Sequence, residues 1–517
     1  MKQGISQNII RNVLWNFAGQ GWMLVLAFFA TPFIVHHLNV NLYGIYTFSG
    51  VVIGYFGFLQ LGLGTASVKY VSQYLVRKEE EKIRTVFWSC IYTYLFMGLL
   101  GTALIALSAR ILVERFFRIP LELQSIAIFT LRIGSLGFII SMLSVAIGGI
   151  IRSLERFDVL NHIGVLIGTC QVAATVLLLV FGFSLKAIII SNLVIQTVNV
   201  YIYWVFVKKA LPFLIKPSWD FNTLVQLLKF GGFVTISGIA NPILVNIEKV
   251  FLTMFRPIAS LTYYSIPYSL MGSIQIIPVA FSGVLFPAYS HFHSSDELHI
   301  NKDLHYRSTL FIFFLYFFPA AFLVIFGRPF LALWIGADFA QRSAKILIIL
   351  IFSGLINAVA APSINILQGM GKPQIPALFH VIETVIHIPL GYFLIYRYGG
   401  VGAALTWFFR VLLDTILLTG ASCKALDISL FQWYRSLLYR ILPPVIVCGS
   451  LLLLLNSLDL RLLNALNISG IFVVFVLYVY LVWKHGLDEL ARSRIIEFLG
   501  NSYRKHAPQQ SGRPGQI

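Results

Sequence analysis

The sequence predicts an all-α polytopic membrane protein of about fourteen transmembrane helices: two six-helix lobes in a parallel pseudo-twofold repeat, plus two C-terminal helices. Three observations carry this. The 517 residues are 58% hydrophobic and only 11% charged, too apolar for a chain dissolved in water. The apolar residues gather in runs of about 18 or more, each long enough to cross a hydrocarbon layer as a helix. A pattern also recurs at an offset of about 216 residues.

Helices are expected because backbone groups in lipid must be satisfied within the segment. A transmembrane barrel would alternate apolar and polar residues, whereas "ILIILIFSGLINAVAAPSINIL" is apolar on every side. The opening "MKQGISQNIIRNVLWNFAGQGWMLVLAFFATPFIV" has a basic flank and an apolar run too long for a signal-peptide core, so it reads as a retained first span.

Spans are expected near 12–35, 43–64, 86–108, 125–150, 158–181, 185–207, 229–253, 260–287, 308–327, 344–368, 375–396, 400–422, 437–456 and 466–484. Residues 1–210 form an N-terminal six-helix lobe, 211–425 a C-terminal one, 426–485 the appended pair and 486–517 a cytoplasmic tail. In that tail "GLDELARSRIIEFLG" suits an interfacial helix and "APQQSGRPGQI" a disordered end.

Charge sets the orientation. With the first terminus inside, the cytoplasmic segments hold about 25 Lys and Arg and the opposite face about 10, so both termini are expected in the cytoplasm. The richest segments are "KYVSQYLVRKEEEKIR", "KKALPFLIKPSWDFNTLVQLLK" and the tail from Lys484, which can lie on an anionic leaflet of the bilayer. A net charge of +18 distributed in this way excludes a nucleic-acid-binding protein.

The loops are too short to hide an extramembrane domain; "RILVERFFRIPLELQ" and "RPFLALWIGADFAQRSAK", the longest outward connections, read as linkers or interfacial helices. Cys90, Cys170, Cys423 and Cys448 all fall in apolar stretches without a CxxC or Cys/His cluster, so they read as packing residues. There is no GxxxxGK[ST] loop, metal cluster or catalytic triad; no cofactor, metal or enzymatic activity is expected.

The repeat is clearest in the loops. "GGIIRSLERFDVLNHIG" lies over "SINILQGMGKPQIPALF", with Ser153 over Gly369 and Arg156 over Lys372; Gly182 to Ala187 lies near Gly399 to Ala404, and Tyr46 over Tyr264. Six spans per repeat return the chain to its starting side, so the halves share one orientation, an arrangement common in transporters that rock about a central site.

A charge at bilayer depth costs on the order of 3 kcal/mol, so such residues face a wet cavity or each other. Within the spans these are Arg132, Glu248, Lys249, Glu383, Arg410 and Asp414, with His162, His380 and His387 as polar companions. Asp414 lies one turn after Arg410 and can neutralise it. Glu248 and Lys249 are adjacent, so they point to different sides of their helix. His380, Glu383 and His387 form one stripe, either a proton or cation relay or a static interhelical network; His162 reads as helix glue. Pro242, Pro267, Pro278 and Pro389 permit bends.

Several segments together resemble the polysaccharide-flippase branch of the multidrug/oligosaccharidyl-lipid/polysaccharide exporter superfamily. They are "RNVLWNFAGQ", "LYGIYTF", "LQLGLGTASVKYVSQY", "NIEKVFL", "YYSIPYSL", "FPAYSHF", "NILQGMGKPQIPALFHVIE" and "YGGVGAALTWF", in order along the chain. The resemblance implies two lobes around a cavity, alternating access, and export of an undecaprenyl-pyrophosphate-linked oligosaccharide across the cell (inner) membrane for surface polysaccharide synthesis. It further implies proton or sodium coupling and polysaccharide-assembly proteins as partners.

A diphosphate headgroup would be held by cations in a low-dielectric cavity, for which Arg132, Lys249, Arg410 and Lys69 are the candidates. Glu248, Glu383, His387 and Asp414 are the candidates for coupling or gating. A small-molecule exporter of the same fold would favour acids over bases in the cavity. A membrane polymerase or ligase would need a larger outward loop.

Overall fold

The computed structural model describes residues 2–294, 297–458, 462, 464–489 and 492–493, with side chains described outside 2–18, 233–243 and 294. Of the interfacial helix expected over 486–500, residues 490–491 and 494–500 lie outside the described residues, as do the disordered end expected over 507–517 and the side chain of Pro242.

Fifteen α-helices are present among the described residues: α1 Lys2–Tyr55, α2 Leu63–Arg77, α3 Glu80–Ile111, α4 Leu121–Ser153, α5 Phe157–Val180, α6 Leu185–Ala210, α7 Phe221–Phe255, α8 Ala259–Ile274, α9 Ile276–Ser294, α10 Leu298–Trp334, α11 Ala337–Gly369, α12 Gln374–Tyr398, α13 Gly400–Ala425, α14 Leu430–Ser457 and α15 Ala465–Leu481. Among the described residues, twelve helical stretches are long and apolar enough to cross a membrane. The first of them, Gly19–Gln60, takes in two of the fourteen expected spans, and α7 covers the span expected at 229–253.

Local chemistry explains the breaks. The two spans inside α1 meet at Asn39, whose φ of 62° is left-handed. The Asn39 Oδ1 accepts hydrogen bonds from the Asn41 and Leu42 N–H groups at 3.0 and 3.1 Å, capping the second span. The span expected over 260–287 is broken between Ile274 and Ile276. Pro278 explains it, because its ring would crowd the carbonyl four residues earlier and has no N–H to donate. Asp220 caps α7 by accepting from the Thr223 N–H at 2.8 Å, and these bonds hold its carboxyl below the ordinary range. The outward segment at 328–345, expected as a linker or an interfacial helix, is helical as the continuation of α10 and α11, which turn at Gly336 with φ 140°.

The aligned loops also share their geometry. After α4, the N–H groups of Leu154, Glu155 and Arg156 donate to the carbonyls of Ile150, Arg152 and Ile151; after α11, those of Met370, Gly371 and Lys372 donate to Ile366, Gln368 and Leu367. The left-handed residue is Glu155 in the first turn and Gly371 in the second, with φ of 56° and 73°. Gly182 and Gly399, aligned by the repeat, both have positive φ.

The chain divides into two compact units. The first comprises residues 1–273, 331–350 and 380–410; the second comprises 274–330, 351–379 and 411–517. The core of the first is built partly by α3 on α4, where Gly101 lies so close to Phe138 that a Cβ would overlap its ring. Its far end is tied by hydrogen bonds from Thr262 Oγ1 to the Val40 carbonyl, at 2.6 Å, and from the Arg118 N–H to the Thr253 carbonyl, at 2.9 Å. In the second unit, Phe314, Phe317, Trp433, Cys448 and Tyr478 form the main cluster, joining α10 to the appended α14 and α15.

Candidate functional site

The first unit gathers five of the predicted residues, carried by α7, α12 and α13. Glu248 is 0% exposed and His387 1% exposed; the Glu248 Oε1 and His387 Nε2 lie 2.9 Å apart. The approach lacks hydrogen-bond alignment, and neither Glu248 oxygen has another aligned partner among the described residues.

One turn earlier on α12, Glu383 is 1% exposed and its Oε2 lies 3.7 Å from Nη1 of Arg410 on α13. The Arg410 guanidinium also sits over the Trp407 ring, 4.1 Å from its centroid, a contact the i, i+3 spacing on α13 permits. Lys249 donates to Asn246 Oδ1 at 2.9 Å and lies 4.8 Å from the centroid of the Tyr268 ring. Tyr268 in turn meets Trp407 edge to face at 5.2 Å and stacks on Tyr264 at 5.8 Å.

Two acids, two strong bases and one imidazole therefore share an aromatic frame. Glu248 and Glu383 are enclosed, whereas the Arg410 side chain is 11% exposed and Lys249 is half-buried. The open face of the cluster is consequently cationic. The Tyr264 hydroxyl, Trp407 Nε1 and Arg410 Nε are buried without a hydrogen-bond partner among the described residues. Buried groups of this kind call for a polar guest or water.

Arg132, Lys69 and His162 lie elsewhere. Arg132 is exposed on α4, its Nε 3.4 Å from the Ala106 carbonyl of α3. Lys69 is exposed on α2 with its ammonium 4.1 Å from the Phe230 centroid. His162 Nδ1 lies 2.7 Å from its own helix's Asp158 carbonyl. Asp414, 8% exposed, continues α13 into the second unit. His380 is half-buried, and its carbonyl accepts from Thr384 Oγ1 at 2.7 Å. On α12, ligand atoms of His380 and Glu383 lie within 4.8 Å of each other and Glu383 also faces Arg410 of α13, whereas His387 meets Glu248 of α7. Sequence reasoning missed Trp407, Tyr264 and Tyr268, although the i, i+4 tyrosines and the Trp–Arg spacing were there to be read.

Comparison with known proteins places this arrangement. A family model described as polysaccharide biosynthesis protein matches residues 37–344, more than half of the chain, and the MatE model matches 296–393. A Shigella flexneri protein described as "Putative O-antigen transporter" is 23% identical over 412 residues, which cover 80% of this chain and 97% of that protein. Among solved structures, the lipid II flippase MurJ aligns with a TM-score of 0.69 at 14% identity, covering 92% of this chain and 99% of its own. An inward-facing multidrug MATE transporter aligns with a TM-score of 0.62 at 15% identity, covering 80% and 95%. These matches make the chain a multi-pass membrane protein of the polysaccharide biosynthesis protein family, with the fold of the multidrug/oligosaccharidyl-lipid/polysaccharide exporter superfamily.

Proposed function

We propose that this protein is a flippase. It carries an undecaprenyl-pyrophosphate-linked oligosaccharide from the cytoplasmic to the outer leaflet of the cell membrane by alternating access, with both termini in the cytoplasm, and makes no covalent change to it. The observation that carries the reading is the polarity of the α7/α12/α13 cluster: its acids are enclosed, and its part-exposed members are Arg410 and Lys249. Such a face suits a diphosphate, which a guanidinium and an ammonium hold by charge-assisted hydrogen bonds far stronger there than in water. A cationic drug would meet repulsion first.

In this reading Arg410 and Lys249 hold the headgroup, with Lys69 and Arg132 as outlying cations. Glu248 and His387 form a coupling or gating pair and Glu383 balances the charge of Arg410, with Asp414 as a further coupling or gating candidate. Release of the anion frees Arg410 to Glu383, so binding and the state of the buried acids are linked. Proton or sodium coupling and polysaccharide-assembly partners belong to the same proposal. The names of the relatives support it: one is described as an O-antigen transporter, and another as a lipid II flippase.

The test is native mass spectrometry of the purified protein with an undecaprenyl-pyrophosphate oligosaccharide and, separately, a cationic dye. Selective retention of the glycolipid is expected. Retention of the dye without the glycolipid would replace this reading with a small-molecule exporter.

A further inference from the structure

Inside the first unit, α1, α5 and α6 line a half-open cavity of about 290 Å³, distinct from the charged cluster. Its polar lining is Tyr46, Gln171, Thr175, Asn192 and Gln196, and among the described residues no Asp, Glu, Lys, Arg or His lines it. One wall is drawn tight where Met23 of α1 presses on Gly168 of α5, so closely that a Cβ on the glycine would lie 2.5 Å from the Met23 Cε.

Three side-chain amides in a membrane bundle call for a reason, and the usual one is interhelical glue. Asn199 on α6 is glue of that kind, donating to Ser144 Oγ of α4 at 3.4 Å. Gln171 and Gln196 differ: among the described residues their amides make no such bond, and they turn to the cavity instead. Thr175 Oγ1 donates to the Gln171 carbonyl at 2.8 Å, which leaves its lone pairs to accept. Tyr46, 38% exposed, adds an aromatic face, its hydroxyl sharing a hydrogen bond with Asn192 of the same lining.

We propose that this cavity is a subsite for one uncharged sugar ring of the carried glycan. Each amide offers two donors and two acceptor lone pairs, the same mixture that sugar hydroxyls present, and an aromatic ring suits the C–H face of a pyranose. The absence of charge in the lining rules out a subsite for the diphosphate. The volume, near the lower end of the roughly 300 to 1,000 Å³ of small-molecule sites, admits one ring and not a whole oligosaccharide. A second cavity of about 280 Å³, between α1 and α8 and lined by Leu24, Phe28, Phe29, Leu270 and Trp334, is largely apolar and unsuited to sugar.

The inference rests on the flippase reading, and its test separates the two. Binding is compared for undecaprenyl diphosphate with and without a neutral trisaccharide containing N-acetylhexosamine. The wild type is expected to prefer the glycan-bearing lipid about tenfold or more. The combined Gln171→Leu, Asn192→Leu and Gln196→Leu protein is expected to bind both lipids equally, with the bare lipid unaffected.

In addition, Val172→Cys in a Cys170→Ser background is expected to react with a thiol reagent and to be protected by the glycan-bearing lipid alone. This arm does not depend on the stability of the triple variant. Bare-lipid binding without a glycan preference, a preference retained in the triple variant, or no protection at 172 would overturn the subsite and leave the flippase reading standing. Binding of neither lipid would overturn both.

Discussion

Replacing His387 by leucine, alone and together with Glu248→Gln, asks whether the buried pair on α7 and α12 is held by charge. The pair is 2.9 Å apart, and its members are 0% and 1% exposed, so water screens neither. A carboxylate stranded at bilayer depth costs about 3 kcal/mol. An amide left there with an incomplete partner costs about 1 kcal/mol. His387→Leu should therefore cost about 3 kcal/mol alone and about 1 kcal/mol beside Glu248→Gln, a coupling of about 2 kcal/mol.

Neutral interhelical hydrogen bonds in membranes average about 0.6 kcal/mol of coupling and reach about 1.7 kcal/mol. The predicted value lies above that range, which makes the cycle decisive. The assay is unfolding in mixed micelles of rising denaturing-detergent content, with the folded fraction followed by circular dichroism. Coupling of about 0.6 kcal/mol or less would show an ordinary polar contact and remove the basis for a charged pair.

Three further outcomes follow from named contacts. Gly101→Leu should destabilise the first unit by about 1 to 3 kcal/mol in the same unfolding assay, because Phe138 already fills the space a Cβ would enter. Arg410→Gln and Lys249→Gln should each weaken glycolipid binding about tenfold or more in a titration, the loss of a charge-assisted bond of about 1.5 to 3 kcal/mol, while the dye control is unchanged. Gly44 packs so closely on the Ile258 carbonyl that a Cβ would lie 2.7 Å from its oxygen, so Gly44→Leu should likewise destabilise the first unit, by about 1 to 3 kcal/mol in the same assay.

The helices were legible because their solvent is lipid and the apolar runs follow from backbone groups that need partners, whereas the turn at Asn39 and the break before Pro278 were located only by the fold. The helix extensions past the apolar runs were not, since the polar ends at 298–307 and 337–343 carry no hydropathy signal. Charges at bilayer depth marked most of the candidate cluster in advance, since so few exist. Their pairing was hidden, because Arg410 had Asp414 as a plausible neighbour on its own helix, whereas the geometry gives it Glu383 from another.

The spacings of Trp407 and Tyr268 were obscured by the many other rings of a chain that is 15% aromatic. The amide cavity escaped for a different reason: Gln171, Asn192 and Gln196 are uncharged, and only the folded bundle brings them to one space.

Whether the protein turns a glycolipid over is answered in proteoliposomes loaded on one leaflet with the undecaprenyl-pyrophosphate oligosaccharide, by the access of a membrane-impermeant glycosidase to the sugar from the opposite side. The wild type should expose the sugar, and the combined Arg410→Gln and Lys249→Gln protein should not. A wild type that leaves the sugar where it was loaded, or a variant that turns it over at the same rate, would contradict the cationic-site flippase.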